Sequence, residues 1–152
     1  MIRPASSQHR LAALSGRYGE AGLPLTSQRR TLLEVLAGRL DHPTVDQIYS
    51  EVVERLPEVS RTTVYRSLEI LTERGLIQRI EHPGSAVRFD PNVLPHHHFL
   101  CTRCGALADL ELEAVEGYER LRLVDERAGS ADEVTVLVRG TCTACLTKGA
   151  SE

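Results

Sequence analysis

Apolar residues recur at helical spacing through the first half of the chain and at strand spacing through the second. In SQRRTLLEVLAGRL, Leu32, Leu36 and Leu40 fall at i, i+4 and i+8, one face of a helix that Thr26 is placed to cap. The His42-Pro43-Thr44 entry opens a second helix, with Pro43 and Thr44 at its start and Val45, Ile48, Val52 and Leu56 on its buried side. A third is predicted from Ser60 to Gly75, with Val64, Leu68 and Leu71 inward. LIQRIE (76–81) and AVRFD (86–90) then read as two strands joined by His82-Pro83-Gly84-Ser85, a turn suited to a hairpin. Three helices followed by a hairpin is the order of a winged helix-turn-helix. Residues 1–22 are polar and read as an N-terminal arm carrying a short helix around Leu11, Leu14 and Tyr18.

Two prolines, Pro91 and Pro95, flank a short segment between different compositions, which predicts a hinge at 91–95. Beyond it, HHHFLC and ALADLEL read as strands and 113–128 as a charged amphipathic helix. EVTVLVRGTC reads as a β-rich strand with Val134, Val136 and Val138 on one side. The predicted fold class is α+β: a winged helix over 1–90, the hinge, and a small α/β domain over 96–152. Periodicity leaves the strand order of that domain open.

Aromatic content is 4%, with no Trp and two Phe, so two small aliphatic cores are expected, of a kind that often needs a staple such as a metal. No stretch approaches the roughly 18 consecutive apolar residues of a membrane span, and MIRPASSQHRLAALSGR lacks the apolar core of a signal peptide. The expectation is therefore a cytoplasmic protein without a membrane partner. In that reducing compartment paired cysteines are metal ligands or redox catalysts rather than disulfides. Net charge is −3, unevenly spread: residues 1–90 carry 12 Lys+Arg against 11 Asp+Glu, and residues 91–152 carry 6 against 10. Any DNA contact must come from locally placed arginines, since there is no global basic field.

The strongest chemical signal is Cys101-Thr-Arg-Cys104-Gly paired with Cys142-Thr-Ala-Cys145. Each CxxC brings two thiolates to one side of a tight knuckle, and two knuckles complete a tetrahedron of soft sulfur, the arrangement of structural zinc. The competing reading is a pair of thioredoxin-like motifs; against it, neither CxxC is expected to open a helix after a parallel strand. Four protein ligands leave no position for a substrate. The run His96-His97-His98 places the first and third rings on one face of a strand. With Asp90, Asp109 and His42 it offers imidazole and carboxylate donors suited to Fe(II), Mn(II) or Zn(II), while a solvated surface run accounts for adjacent histidines equally well. His42 by itself reads as a helix-start residue. In the helix over 60–74, Thr62, Tyr65, Arg66 and Glu69 share the face opposite the apolar one. That face either enters a major groove or is simply solvated; the candidate DNA contacts are Arg61, Thr62, Thr63, Tyr65 and Arg66, with Arg88 and the 82–85 turn tracking phosphates as a wing. A metal hydrolase or metal-storage module competes with this reading, although an HExxH signature is lacking.

Taken together, GLPLTSQRRTLLEVL, HPTVDQIY, SRTTVYRSLEIL, GLIQRIE, RFD, HHHFLCTRCG and GTCTAC, in this order over residues 22–145, resemble the ferric-uptake-regulator (Fur) family. The resemblance implies a homodimer whose winged helices hang from a C-terminal dimerisation domain and repress palindromic operators in double-stranded DNA when a regulatory metal is bound, with no small-molecule substrate. It makes Cys101, Cys104, Cys142 and Cys145 the structural Zn2+ ligands. It makes His42, Asp90, His96, His98 and Asp109 the regulatory site, for Fe2+ or Mn2+, or Zn2+. Asp109, where iron sensors usually carry Glu, is similar to the peroxide-responsive (PerR) branch, in which His42 and His96 are the expected targets of oxidation. Many members carry a histidine shortly before the final GxC; Val134 and acidic neighbours stand here, which puts a further metal site in doubt.

Overall fold

A computed structural model describes residues 6–110 and 134–149; the helix predicted over 113–128 lies outside the described residues. The chain divides into two compact units, Met1–Val93 and Leu94–Glu152.

The first unit contains α1 (Ser7–Glu20), α2 (Ser27–Gly38), α3 (Val45–Arg55), α4 (Arg61–Glu73), β1 (Gln78–Ile80) and β2 (Arg88–Asp90). Each helix after α1 starts where a hydroxyl can satisfy an orphan amide. Thr26 Oγ1 accepts from the Arg29 N–H at 3.3 Å, and Ser60 Oγ from the Thr63 N–H at 3.1 Å. Thr44 forms a reciprocal capping box with Gln47. Such caps contribute about 1 kcal/mol each. At the other end of α4 the chain must turn sharply into β1. Gly75 adopts φ +65, and the Leu76 N–H reaches back to Leu71 O at 2.9 Å, a Schellman closure that a side chain at this position would strain.

Leu36, Ile48 and Leu68 are fully buried at the centre of the bundle, together with Leu32, Val52, Val64, Leu71 and Phe89 of β2. Burying each large aliphatic side chain stabilises by roughly 1.5–3 kcal/mol. Two expectations are corrected here. The N-terminal helix is not an arm: Leu14 and Tyr18 belong to the core, and Arg10 Nε caps the end of α2 by donating to Ala37 O at 2.8 Å. Leu40 is not on the buried face, because α2 ends at Gly38 and the extended Arg39 turns the chain, leaving Leu40 50% exposed. The hairpin is as predicted, β1 and β2 pairing antiparallel with Arg79 opposite Phe89.

The second unit contains β3 (His97–Cys101), β4 (Leu107–Leu110), β5 (Leu137–Gly140) and α5 (Thr143–Gly149). The strand order is β4-β3-β5, with β3 antiparallel to β4 and parallel to β5. Leu100 and Leu107 face each other across β3 and β4 and are buried. The strand predicted from residue 133 is shorter: Val134 and Val136 precede β5, and Val134 and Val138 are exposed. Gly140 passes under the Phe99 ring, where a Cβ would meet a ring carbon at 3.0 Å.

Candidate metal centres and nucleic-acid face

The cysteine cluster lies wholly in the second unit. Cys101 ends β3, Cys104 lies in the turn to β4, and Cys142 and Cys145 flank the start of α5. The turn is a tight knuckle: the Gly105 N–H returns to Cys101 O at 2.9 Å, with Gly105 at φ +71, and the Cys101 N–H bonds Ala106 O at 2.8 Å. Parallel pairing of β5 with β3 sets Gly140 beside Cys101, which delivers the second knuckle to the first. The four Sγ atoms lie within 4.8 Å of one another, with Cys104 and Cys142 3.7 Å apart. An ion with Zn–S bonds of about 2.3 Å sets its tetrahedral sulfurs about 3.8 Å apart, so the cage has the size zinc needs.

The electrostatics agree with this fit. The Cys142 N–H donates to Cys101 Sγ at 3.3 Å, and this bond, followed by one from the Cys104 N–H, holds the Cys101 thiol down at about 6. Cys145 is pushed up to about 12, first by its hydrogen bonding with Cys104 and then with Cys142. Sulfurs this close become thiolates together only around a cation. One expectation is overturned: Cys142-Thr-Ala-Cys145 does open a helix after a parallel strand, since α5 begins at Thr143 directly after β5. Periodicity could not show that β5 is parallel. The convergence of a second CxxC on the same point still favours a metal cage over a redox pair.

Nitrogen and oxygen donors gather in each unit separately. In the first, His42 and Asp90 are both buried, with His42 Nε2 3.3 Å from Asp90 Oδ2. His42 is the one non-glycine residue of positive φ among the described residues, at +51. A left-handed backbone of this kind costs on the order of 1–2 kcal/mol for a residue with a Cβ. The surroundings hold it there. Arg39 donates to both Asp41 carboxylate oxygens, at 2.8 and 2.5 Å, and also pairs with Glu51 of α3. On the other side the Phe89 N–H donates to Pro43 O at 3.0 Å and Thr44 bridges to Arg88. Asp90 Oδ1 accepts the Asn92 N–H at 2.8 Å, and Arg17 of α1 donates to Pro91 O at 2.8 Å. These last contacts fix how the chain leaves β2; Arg17 and Asn92 belong to no motif, and sequence reading missed them.

In the second unit, His98 of β3 stands directly opposite Asp109 of β4, so the two side chains share a face of the sheet. His96, two residues earlier and just before β3, projects the same way. His96 Nε2 is 3.2 Å and His98 Nε2 4.0 Å from Asp109 Oδ1, and the two rings meet edge to face at 4.5 Å. His97 goes to the other side, where its Nδ1 accepts the Val136 N–H at 3.1 Å. The alternation read from the sequence therefore holds. Neither half contains sulfur, and imidazole with carboxylate fits Fe(II), Mn(II) or Zn(II).

On α4, Arg61, Thr62, Tyr65 and Arg66 are exposed, on the side away from Val64 and Leu68. Arg61 pairs with Asp46 at the surface. Such a pair contributes under about 1 kcal/mol, so a phosphate can displace it. Thr63 is differently placed: its hydroxyl lies 2.9 Å from the Ser60 cap. Arg88, read from the sequence as a wing residue, is half-buried and donates to His42 O at 3.0 Å.

A winged helix combined with a thiolate cage and imidazole–carboxylate clusters defines a metal-binding winged-helix protein. Residues 20–133 match the sequence profile of the Ferric uptake regulator family. The peroxide-responsive repressor PerR of Staphylococcus aureus is 31% identical over 116 residues, covering 76% of this chain and 78% of that one. The Campylobacter jejuni peroxide stress regulator superposes with a TM-score of 0.62 at 28% identity, covering 89% of this chain and 98% of its own. A zinc uptake regulator complexed with zinc and DNA shares the fold at a TM-score of 0.68 and 24% identity, covering 97% of this chain and 99% of its own. The chain belongs to the ferric uptake regulator family, and is thus a metal-responsive regulator and not an enzyme.

Proposed function

We propose that the protein is a cytoplasmic, homodimeric repressor that reads a palindromic DNA operator through α4 when one regulatory ion is shared by His42, Asp90, His96, His98 and Asp109, while zinc at Cys101, Cys104, Cys142 and Cys145 maintains the second unit. The observation that carries this reading is the pairing of imidazole with carboxylate in each unit, His42 with Asp90 and His96 with Asp109. The first unit offers two donors, His42 and Asp90, and the second three, His96, His98 and Asp109; a shared ion gains all five. An ion that needs both halves favours one arrangement of the units, and DNA that needs the same arrangement is coupled to it reciprocally, typically by about 1–3 kcal/mol. On α4, Arg66 and Arg61 are suited to guanine edges or phosphates, and Thr62 and Tyr65 to thymine methyls or backbone.

The regulatory signal in this reading is peroxide, with Fe2+ or Mn2+ as the ion. Asp109 and the relationship to the two peroxide regulators support it. Hydrogen peroxide would transfer one oxygen atom to the His42 or His96 ring and leave as water, removing a ligand and releasing the operator. The test uses a duplex selected from a random-sequence library by retention on the Mn2+-loaded protein. Retention should depend on Fe2+ or Mn2+ and be lost after peroxide in the Fe2+ form, with one added oxygen on the peptide containing His42 or His96. Retention without either metal contradicts the repressor mechanism; metal-dependent retention with no added oxygen makes the protein a metal-uptake regulator instead.

A further inference from the structure

We infer that Arg88 is a positioning residue for the regulatory ion: its guanidinium clamps the His42 carbonyl and so holds the imidazole aimed at Asp90 before any metal arrives. This rests on the reading of His42 and Asp90 as regulatory ligands, and adds a residue that coordinates nothing.

The geometry comes from the strand. Alternate residues of β2 project to the same side, so Arg88 and Asp90 face one way while Phe89 enters the core. The two side chains on that side address one residue at two points. Arg88 Nη1 donates to the His42 carbonyl at 3.0 Å, and Asp90 Oδ2 meets the His42 imidazole at 3.3 Å. Between them, the Phe89 N–H donates to Pro43 O at 3.0 Å. Three consecutive residues of β2 thus template His42 and Pro43. The template is needed because His42 stands at φ +51, where an L-residue drifts back to ordinary backbone unless its flanking peptide groups are held. The Cα–Cβ bond turns with the backbone, so a relaxed φ carries the ring away from Asp90. Arg39 grips the Asp41 carboxylate, so arginines hold the side chain that precedes His42 and the carbonyl of His42 itself. A point donor is sufficient at a carbonyl, which makes lysine a meaningful replacement.

The experiment measures Mn2+ affinity of the zinc-replete full chain by the EPR signal of free Mn2+, with zinc content determined in parallel. Arg88→Met keeps the length and apolar stem of the side chain and removes the donor. It should weaken Mn2+ binding about tenfold or more, the range for groups that orient metal ligands, with zinc content and unfolding temperature near those of the parent. Arg88→Lys should restore most of the affinity. In a His42→Ala background, Arg88→Met should have no further effect, because its action runs through His42. Full additivity in that background, or a failure of Arg88→Lys to rescue, overturns the proposal, as does an unchanged affinity in Arg88→Met when His42→Ala does weaken binding. Should His42→Ala itself leave Mn2+ affinity unaltered, the ligand assignment fails and Arg88 falls with it.

Discussion

At His42 the physical chemistry is concentrated in a few atoms: a left-handed backbone, a buried imidazole, and arginines holding its carbonyl and the preceding Asp41 carboxylate. The Arg39 hydrogen bonds hold the Asp41 carboxyl below its ordinary value of 3.8. A depressed folded pKa stabilises the native state above the unfolded pKa, and that contribution disappears as pH falls through the folded one. Asp41→Asn should therefore lower the unfolding temperature slightly at pH 7, and the difference from the parent should narrow as the pH is taken below about 4. Thermal scans at both pH values check this, and a difference that grows on acidification contradicts it. In the second unit, His96→Ala removes a ring 3.2 Å from Asp109 and exposes no core. It should weaken Mn2+-dependent operator binding while zinc content and fold are retained, as read by anisotropy and metal analysis.

Among the elements, α4 carries two duties, and its faces separate them. Leu68 is fully buried on one side, so Leu68→Ala should cost about 2–5 kcal/mol in denaturant titration. On the opposite face Tyr65 and Arg66 touch solvent, and Arg66→Ala should leave that stability within about 0.5 kcal/mol while weakening DNA retention. This division was legible in the sequence because helical period, capping hydroxyl and closing glycine all agree over 60–75. The hairpin was legible for a similar reason, since Pro83-Gly84 lies between two short apolar-alternating runs. What escaped reading depends on long-range geometry. The place of α1 in the core follows from how Leu14 and Tyr18 meet α2, which a short amphipathic pattern does not announce. The parallel pairing of β5, and with it the helix at Cys142, is a matter of topology that strand periodicity leaves free. The position of Arg88 in the hairpin is visible in the sequence, and its hydrogen bond to the His42 carbonyl is not. The meeting of the four cysteines and of His96 and His98 with Asp109 was more legible, since CxxC spacing and strand alternation fix local geometry directly; the meeting of His42 with Asp90 was not, because nothing local in the sequence brings a helix-entry histidine to the end of β2.

For the whole molecule, the two units rest on different supports. The first has a continuous aliphatic core from Leu14 to Phe89, whereas the described part of the second buries Leu100, Cys101 and Leu107 as its apolar residues. Zinc at the four cysteines would add folding free energy to the second unit. Stripping zinc with a strong chelator should sharply accelerate amide exchange at Leu100 and Leu107 while Leu36 and Leu68 stay protected; uniform loss of protection in both units would show that zinc does not act locally. The larger claim is that one ion draws ligands from both units, and the stoichiometry of Mn2+ in the zinc-replete protein tests it most directly. The account predicts one Mn2+ per chain in the parent, abolished alike by His42→Ala and by His96→Ala. Retention of a tightly bound Mn2+ in either variant, with the other half of the ligands holding it alone, would contradict a shared ion.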